Sequence, residues 1–264
     1  MKTQIAHLSD LHVLCTDHTW RTRFVSFGRS LDPEGRARKV LAAIAAARAR
    51  GADHFVFTGD LTELGTDAQF EALAEMLLAS GVDPERITLL PGNHDAYTTE
   101  GAFRRALDGP LAPFRRASSD VVDLGAAVVL PLDVACHQPI GRAAGELTSA
   151  DAAALERRLR DLSGGGRRIV VAMHHPPLPH ANPAWQWIDG LRNHARLVAL
   201  LERFEDVMVL HGHLHYPIER RIGRPREPRV FGTTATVEDL DGEPRVALYD
   251  VEESPARLVR PRAA

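Results

Sequence analysis

Short apolar runs alternate along this chain with segments in which apolar residues recur every three or four positions. Five of the runs contain β-branched residues and are bounded by Gly, Pro, Asp or His, a pattern typical of buried strands. They cover residues 5–8, 55–58, 87–90, 169–173 and 207–210. The pattern predicts that these runs form central strands.

The intervening segments have helical periodicity. Apolar spacings of three and four place one stripe on each predicted helix, facing a sheet. The stripes are formed by Val40, Ile44 and Ala47; Phe70, Leu73 and Leu77; Leu155, Leu159 and Leu162; and Leu197, Leu200, Leu201 and Phe204. Thr148 is a predicted N-cap, and the glycine run at residues 164–166 is predicted to end that helical region.

Further strands are predicted in the second half of the chain, over residues 121–123, 128–133, 229–231 and 246–251. Their spacing favours a second, partly antiparallel sheet. The order of elements therefore predicts an α/β fold in which two sheets pack together and helices lie outside them.

Polar side chains suited to binding metals follow five of the predicted strands. These clusters are Ser9-Asp10-Leu11-His12, Gly59-Asp60, Gly92-Asn93-His94-Asp95, His174-His175 and Gly212-His213-Leu214-His215. In α/β sheets, sites form where loops leave the carboxyl ends of the strands. We therefore expect the five clusters to converge in space.

Composition restricts the classes of function. The chain has 35 acidic and 32 basic side chains and a formal net charge of −3, so no strong positive field is available for a nucleic-acid polymer. Two distant cysteines, Cys15 and Cys136, make neither a disulfide framework nor a thiolate metal site. The N-terminal residues contain no apolar stretch long enough for a signal peptide or a membrane span, so we expect a cytoplasmic protein.

The types of candidate ligand indicate a cofactor. Aspartate, imidazole and one amide oxygen, without thiolate, suit two divalent or transition metal ions such as Mn, Fe, Zn or Co. Asp60 has two carboxylate oxygens and could bridge the ions. Two ions roughly 3.5–4 Å apart would acidify a shared water and place it in line with a phosphorus atom. This arrangement predicts hydrolysis of phosphate esters.

In order and residue type, the motifs Asp10-x-His12, Gly59-Asp60, Gly92-Asn93-His94, His174 and Gly212-His213-x-His215 resemble the signature of the calcineurin-like metallophosphoesterase superfamily. The resemblance covers residues 5 to 250, approximately. The segments PGNHD, MHHPPLP and GELTSADAAALERRL are similar to those of bacterial class III cyclic-nucleotide phosphodiesterases and glycerophosphodiesterases. The resemblance implies a four-layer α-β-β-α sandwich of two packed mixed sheets flanked by helices. We expect one such domain over residues 1–253, and the Arg- and Pro-rich composition after Ser254 predicts a flexible tail over residues 254–264.

The resemblance also implies a role for each matched residue. Asp10, His12 and His215 would hold the first ion, Asp60 would bridge, and Asn93, His174 and His213 would hold the second. Asn93 and His94 would contact the substrate, and His94 would be the catalytic group that protonates the leaving oxygen.

Neighbouring residues have more than one candidate role. His175 could contact a ligand or the edge of the substrate, whereas His211 is expected to be a hydrogen-bonded core histidine. Asp95 could orient His94 or a ligand, or cap a turn. Other candidates for the rim of the site are His137, His180, Trp185, Trp187 and the basic-aromatic segment 20–28. Each of these could equally be a surface or packing feature.

The favoured function is a phosphodiesterase that hydrolyses a small phosphodiester such as a cyclic nucleotide by attack of a metal-bridging hydroxide. A nucleotide-lipid pyrophosphatase or a phosphomonoesterase with the same centre is the alternative enzyme. A non-catalytic interaction scaffold is the alternative from another class, although such proteins should have lost ligands. No nucleic-acid polymer is expected as a partner, and the sequence leaves the oligomeric state open, a homodimer included.

Overall fold

The computed structural model describes residues 3–16, 19–26, 28–205, 207–223 and 228–252, together with the backbone of residues 257–258. The strands of the first sheet are β1 (Gln4–Leu8), β2 (His54–Thr58), β3 (Ile87–Leu90), β12 (Ala247–Asp250) and β13 (Arg257–Leu258). Their spatial order is β13-β12-β1-β2-β3. Strands β1, β2 and β3 are parallel, so their carboxyl ends lie at the same edge of the sheet.

The sequence-based assignment of residues 246–251 to the second sheet is wrong. Strand β12 pairs antiparallel with β1 in the first sheet, and Gln4 lies opposite Asp250. The hydrophobic pattern of a strand shows which of its faces is buried but does not identify its neighbour. Strand β1 would otherwise leave one edge of backbone donors and acceptors unpaired, and the returning chain covers that edge.

The second sheet contains β4 (Val122–Asp123), β5 (Ala127–Pro131), β7 (Arg168–Ala172), β9 (Val207–His211), β10 (Ile218–Arg221) and β11 (Arg229–Gly232). Their order is β10-β11-β9-β7-β5-β4. The four central strands are parallel, and the two edge strands are antiparallel to their neighbours. A separate parallel pair joins β6 (Gly145–Glu146) to β8 (Leu191–Arg192). The predicted second, partly antiparallel sheet is confirmed, although its predicted strand at 128–133 ends earlier, at Pro131.

The helices are α1 (Trp20–Val25), α2 (Pro33–Ala49), α3 (Asp67–Ala79), α4 (Ala102–Asp108), α5 (Arg115–Ser119), α6 (Ser149–Leu162), α7 (Pro183–Asp189) and α8 (His194–Leu201). Short 3₁₀ turns occur at Pro84–Arg86, His94–Ala96 and Ala112–Phe114. The four predicted helices correspond to α2, α3, α6 and α8. The Thr148 side chain caps α6 by accepting a hydrogen bond from the Asp151 amide, as predicted. The unpredicted helices have five to seven residues, which is too short for a clear apolar period.

Three apolar clusters define the layers of the fold. Ile5, Val56 and Leu90 of the first sheet pack between the sheets against residues such as Val170 and Met208 of the second. The outer face of the first sheet packs against α2, α3 and α4. The outer face of the second sheet packs against α6 and α8. The predicted four-layer α-β-β-α sandwich is therefore confirmed.

The ends of the described chain leave two predictions open. Residues 257–258 fall inside the predicted tail but pair with β12. Residues 253–256 and 259–264 lie outside the described residues, so the domain boundary at residue 253 and the flexibility of this tail stay predictions. In the part of the chain that the structure describes, no helix combines the length and the apolar character that a bilayer span requires.

Candidate metal centre

The loops that follow β1, β2, β3, β7 and β9 meet at one edge of the sandwich. His174 Nε2, after β7, lies 3.4 Å from Asp60 Oδ1, after β2. His215 Nε2, after β9, lies 3.2 Å from Asp10 Oδ1, after β1. The predicted convergence of strand ends is confirmed, because residues up to 205 positions apart are brought into contact.

Three overlapping groups of side chains could each hold a metal ion. They are Asp10, His12 and His215; His12, Asp60 and His94; and Asp10, Asp60 and His174. Within each group the ligand atoms all lie within 4.8 Å of one another. Asp10, His12 and Asp60 each belong to two of the groups, so the three groups form one connected cluster of ligand atoms.

His12 shows that these residues fit a cation. Its ring is fully buried, and neither ring nitrogen has a hydrogen-bond partner among the described residues. Burial lowers the pKa of His12 well below its usual range, and the positive charge of Arg29 lowers it further, so the ring is neutral and can donate a lone pair. Leaving buried polar atoms unpaired is unfavourable. A cation held beside Asp60 would satisfy one of these nitrogens.

The backbone is strained at the same positions. Among the described residues, six non-glycine residues have a positive φ, a conformation that L-residues rarely adopt. Five of them are predicted ligands: Asp10 (57°), His12 (45°), Asp60 (47°), His213 (70°) and His215 (58°). Such strain clusters at functional sites, where the surrounding structure maintains it.

Two glycines allow the loops to approach one another closely. A Cβ atom at Gly92 would lie 2.1 Å from Asp60 Oδ1, and one at Gly212 would lie 1.7 Å from Ser9 Oγ and 2.7 Å from Asp10 Oδ2. The side chains of Asp60, Ser9 and Asp10 occupy the space that any residue larger than glycine would need. This packing explains why glycine precedes Asn93 and His213 in the chain.

Asn93 lies beside His174, with its Oδ1 atom 3.2 Å from Nε2 of that ring. Its Nδ2 atom donates a hydrogen bond to the Tyr97 hydroxyl at 2.9 Å. This bond turns the amide oxygen, the atom that can bind a metal, toward His174. Tyr97 was not identified from the sequence; its only signal was its position one helical turn after Asn93.

Electrostatics couple the carboxylates to the histidines. Burial alone would lower the pKa of His174, but the nearby Asp60 carboxylate raises it to about 9. Burial opposes ionisation of Asp60, yet the attraction of His174 and His94 holds the pKa of Asp60 well below its usual range. The site therefore contains an ionised carboxylate that attracts positive charge.

Asp95 connects two of the ligand-bearing loops. Its carboxylate accepts hydrogen bonds from the amides of Leu61 and Thr62, from the Thr62 hydroxyl and from the Gly92 amide, at 2.7–2.9 Å. Burial raises the pKa of Asp95 to about 7, and the negative charge of Asp60 also raises it. Of the roles considered from the sequence, the structure supports holding turns, because Asp95 fixes the loops after β2 and β3 together.

Glu63 is a buried carboxylate that the sequence analysis missed. It binds Arg29 at 2.6 Å and also forms an ion pair with Arg36. Arg36 also donates to the His12 carbonyl at 2.6 Å, so this network ties α2 to the metal-binding loops. The one signal in the sequence was a glutamate three residues after Asp60 in an otherwise uncharged segment.

His213 lies outside the three groups described above. Its ring centroid is 5.1 Å from that of His174 and 4.4 Å from that of His175. Its Nε2 atom lies 3.0 Å from Oδ1 of Asp189, a residue that the sequence analysis also missed. His175 is buried and donates to the Ala143 carbonyl at 2.7 Å, so it packs behind the two histidines.

The remaining candidates surround this centre. His211 is buried, and its Nδ1 atom is hydrogen-bonded to the Gly212 carbonyl, as expected for a core histidine. Within the segment 20–28, residues 20–25 form α1, and Phe27 lies outside the described residues. Four candidates remain at least partly exposed: His137, His180, Trp185 and Trp187. None of these four belongs to the metal-binding groups formed by the described residues.

Comparison with known proteins agrees with this geometry. The chain is 30% identical over 212 residues to the glycerophosphodiester phosphodiesterase GpdQ of Enterobacter lignolyticus, covering 80% of this chain and 70% of the relative. It is 25% identical over 206 residues to a protein of Vesicomyosocius okutanii named "Probable cyclic nucleotide phosphodiesterase", covering 75% and 78%. A solved dimetal phosphatase from Danio rerio has a TM-score of 0.73 and 14% identity, covering 95% of this chain and 93% of that structure, and shows the shared fold.

The family described as calcineurin-like phosphoesterase matches residues 3–217, which is most of the chain. The matched region contains all five loops of the centre, with their carboxylates and histidines in contact. The chain therefore belongs to the calcineurin-like phosphoesterase family and is a metal-dependent phosphoester hydrolase.

Proposed function

We propose that this protein is a phosphodiesterase that hydrolyses a small phosphodiester, with a cyclic nucleotide as the favoured substrate. The main support is the overlapping cluster that Asp10, His12, His94, His174 and His215 form with the Asp60 carboxylate, with Asn93 beside His174, together with the unpaired nitrogens of His12. In this proposal, Asp10, His12 and His215 hold one ion, Asn93, His174 and His213 hold the other, and Asp60 bridges. When bound, two divalent ions such as Mn, Fe, Zn or Co would supply Lewis-acid stabilisation of the phosphoryl oxygens and lower the pKa of water.

The residues of the chain would bind the phosphate and deliver a proton. Asn93 and His94 lie in one turn, and the His94 ring is 10% exposed, so it can reach a bound phosphate at the surface of the centre. Hydrolysis forms a bond from phosphorus to a water oxygen and breaks the bond to the leaving oxygen. His94 would donate a proton to that leaving oxygen from Nε2 of its doubly protonated ring. Burial lowers the pKa of His94 and so opposes this charged form, whereas the carboxylates of Asp60 and Glu63 favour it.

The charges around the centre favour a diester over a monoester. A phosphodiester has one negative charge, whereas a phosphomonoester has close to two at neutral pH. The described guanidinium groups nearest to His12, those of Arg29 and Arg36, are already bound by Glu63. The hydrogen-bond donors of these two groups are therefore directed at Glu63 and at main-chain carbonyls rather than at a substrate. The phosphomonoesterase remains the alternative that the experiment below addresses.

A cavity beside the centre could hold the organic part of the substrate. It has a volume of about 300 Å³ and is lined by residues that include Leu178, Pro179, His180 and Tyr216. His180 Nε2 lies 3.5 Å from Asp189, which contacts His213, so the cavity adjoins the metal-binding residues. Tyr216 is 55% exposed and directly follows the ligand His215. An aromatic ring at this position favours a planar base as part of the substrate.

A panel of substrates tests the proposal. Purified protein with added Mn²⁺ is assayed on 2′,3′- and 3′,5′-cyclic AMP, a glycerophosphodiester, bis-p-nitrophenyl phosphate, p-nitrophenyl phosphate and a UDP-lipid. We expect a higher kcat/KM for bis-p-nitrophenyl phosphate than for the monoester, and turnover of at least one cyclic nucleotide. A clear preference for p-nitrophenyl phosphate would contradict the diesterase assignment.

The role of the cavity is tested with Tyr216→Ala. If the ring stacks on a base, KM for the cyclic nucleotide rises by about 5–150-fold, the equivalent of about 1–3 kcal/mol for stacking on one base. KM for bis-p-nitrophenyl phosphate and the glycerophosphodiester provides the internal comparison. An equal change for all of these substrates would exclude base recognition by Tyr216.

A further inference from the structure

Asp189, the last residue of α7, lies against the Nε2 edge of the His213 ring. Its Oδ1 atom is 3.0 Å from His213 Nε2, and its main-chain carbonyl oxygen is 2.8 Å from the same nitrogen. Its side chain is 29% exposed, so most of it is packed against its neighbours. The Ile188 carbonyl accepts a hydrogen bond from the Ala143 amide at 2.9 Å, which fixes this end of the helix.

These contacts determine which nitrogen of His213 carries hydrogen. A carbonyl oxygen and an ionised carboxylate can only accept hydrogen bonds, so Nε2 must carry the hydrogen and donate it. In the neutral ring, Nδ1 is then the nitrogen with a free lone pair. The hydrogen bond thus selects the tautomer, and a carboxylate partner makes the ring a stronger metal ligand.

Among the described neighbours of His213, no other anion contacts a nitrogen of its ring. The His213 ring packs against His174 and His175, and the Nε2 atom of His175 is itself bound to the Ala143 carbonyl. The backbone amide of His213 is held separately, at 3.2 Å from Asp10 Oδ2. Among the described residues, Asp189 is the carboxylate placed at Nε2 of this ring.

We propose that Asp189 is a positioning residue that orients His213 and strengthens binding of the second metal ion. The inference rests on the proposed dinuclear centre and adds to it a residue from α7, outside the five ligand-bearing loops. It explains how His213 can act as a ligand although it lies outside the compact groups around Asp60. Asp189 would act through His213 and would not itself bind a metal ion.

Metal titration of chelator-treated protein tests the inference. Mn²⁺ binding is measured by calorimetry for the wild type, Asp189→Asn and Asp189→Ala, and thermal unfolding of the metal-free proteins is recorded in parallel. Loss of such a partner typically lowers metal affinity by about 10–100-fold. We expect the weaker of two binding steps to lose affinity in the order wild type, Asn, Ala, because Asn retains an acceptor without the charge. The stronger step should change little.

Glu156→Gln is the matched control. The Glu156 side chain is 27% exposed and pairs with Arg160 and Arg203 on the outer face of the fold, so the variant removes a comparable charge away from the centre. It should bind both ions as the wild type does. A metal-free melting temperature unchanged by Asp189→Asn would show that the effect is on metal binding.

Other outcomes overturn one or both proposals. If the wild type binds fewer than two ions, the dinuclear centre itself is wrong, and the inference fails with it. If the wild type binds two ions and Asp189→Ala binds them equally tightly, only the inference fails. If both binding steps weaken together and the metal-free protein melts at a lower temperature, Asp189 has a general structural role.

Discussion

His94 is held by a hydrogen bond from its Nδ1 atom to the main-chain carbonyl oxygen of Glu63, 2.8 Å away. Because a carbonyl can only accept, Nδ1 carries the hydrogen, and Nε2 is the nitrogen that faces the metal-binding side chains. Nε2 lies 3.8 Å from Asp60 Oδ2. His94 can therefore present a proton at Nε2 only from the doubly protonated ring, with its orientation fixed by Glu63.

The effect of His94→Ala should depend on the leaving group. An alkoxide leaving from a cyclic nucleotide needs a proton as the P–O bond breaks, whereas p-nitrophenolate is stable without one. We expect kcat for the cyclic nucleotide to fall by about 10²–10⁴-fold, the usual contribution of general acid–base catalysis. The loss on bis-p-nitrophenyl phosphate should be much smaller. Steady-state kinetics on both substrates measure the difference.

His94 also lies in one of the groups that could hold an ion. The metal content of His94→Ala therefore distinguishes a catalytic role from a role as a metal ligand. Metal analysis of His94→Ala should match the wild type. His137→Ala is the control, since His137 also contacts a main-chain carbonyl, that of Ala96, but is exposed. Loss of metal from His94→Ala would identify His94 as a ligand, and equal rate losses on both substrates would indicate stabilisation of the phosphoryl charge.

Replacing Asp60 should remove both metal ions rather than one. Its Oδ2 atom lies 4.0 Å from His12 Nε2, and its Oδ1 atom lies 3.4 Å from His174 Nε2, so its two oxygens are near different histidines. Asp60→Asn keeps the size of the side chain but removes its charge, so neither site retains a shared anionic ligand. Activity should fall by more than about 100-fold, because the loss of an outer-sphere partner alone can cost about 10–100-fold.

Elemental analysis of purified Asp60→Asn checks this expectation. Asp123→Asn is the matched control, because Asp123 is an exposed carboxylate paired with Arg167, away from the centre. It should retain the metal content of the wild type. Retention of one tightly bound ion in Asp60→Asn would show that Asp60 serves a single site.

The placement of the candidate ligands was predictable from the sequence because it follows from chain topology. Parallel strands have their carboxyl ends at one edge, so clusters after β1, β2 and β3 had to be neighbours once those strands were recognised. The apolar pattern of each strand was clear because all five strands that precede the ligand clusters are almost wholly buried. Function could therefore be inferred before any distance was known.

The orientation of the rings was not predictable. Whether His213 or His94 points Nδ1 or Nε2 toward the ions depends on the main-chain carbonyls of Asp189 and Glu63. Every residue has a main-chain carbonyl, so the sequence does not identify which residue accepts such a hydrogen bond. Strands also pair through main-chain hydrogen bonds, so the pairing of β12 with β1 could not be identified from side chains either.

Helix α7 was missed for a different reason. Its seven residues include Trp185, Trp187 and Ile188 but show no apolar stripe, and the structure buries none of its side chains fully. Local signals were present, since Asn182 caps the helix and Pro183 occupies its first turn. Capping residues therefore indicated this helix better than periodicity did.

Gly212→Ala should disrupt the centre by steric conflict alone. A Cβ atom there would lie 1.7 Å from Ser9 Oγ and 2.7 Å from Asp10 Oδ2, so the loop carrying Asp10 must move. Overpacking of this kind typically costs about 1–3 kcal/mol. We expect a lower free energy of unfolding for the metal-free variant and loss of the ion that Asp10 and His215 are proposed to hold. Urea unfolding and metal analysis measure the two effects.

Gly165→Ala is the appropriate control for this substitution. Its added methyl group would lie 3.4 Å from the Leu162 carbonyl, an ordinary contact, at the surface after α6. Its free energy of unfolding should stay within about 0.5 kcal/mol of the wild type. If Gly212→Ala behaved in the same way and kept its metal, the close packing around Asp10 would not matter for the site.

His54 should make the protein less stable in mild acid. It lies in β2, is buried, and donates from Nε2 to the Thr88 hydroxyl oxygen at 2.8 Å, while that hydroxyl donates to the Ala117 carbonyl. Burial lowers the pKa of His54 from 6.5 to about 4, with a smaller effect from Arg86. Between these two pH values the unfolded chain binds a proton at this position that the folded protein does not. The free energy of unfolding therefore falls as the pH decreases from 6.5 to 4, and this group contributes no further change below that range.

His54→Gln tests this contribution because glutamine can still donate to Thr88 but does not titrate. The full effect of His54 is about 3 kcal/mol, since each pKa unit corresponds to about 1.4 kcal/mol. Urea unfolding of metal-free wild type and variant, followed from pH 7.5 to 4, should show a smaller loss of stability with acid in the variant. His137→Gln, at an exposed histidine, should follow the wild type. Parallel losses in wild type and His54→Gln across this range would mean that the buried ring is not the group that senses acid.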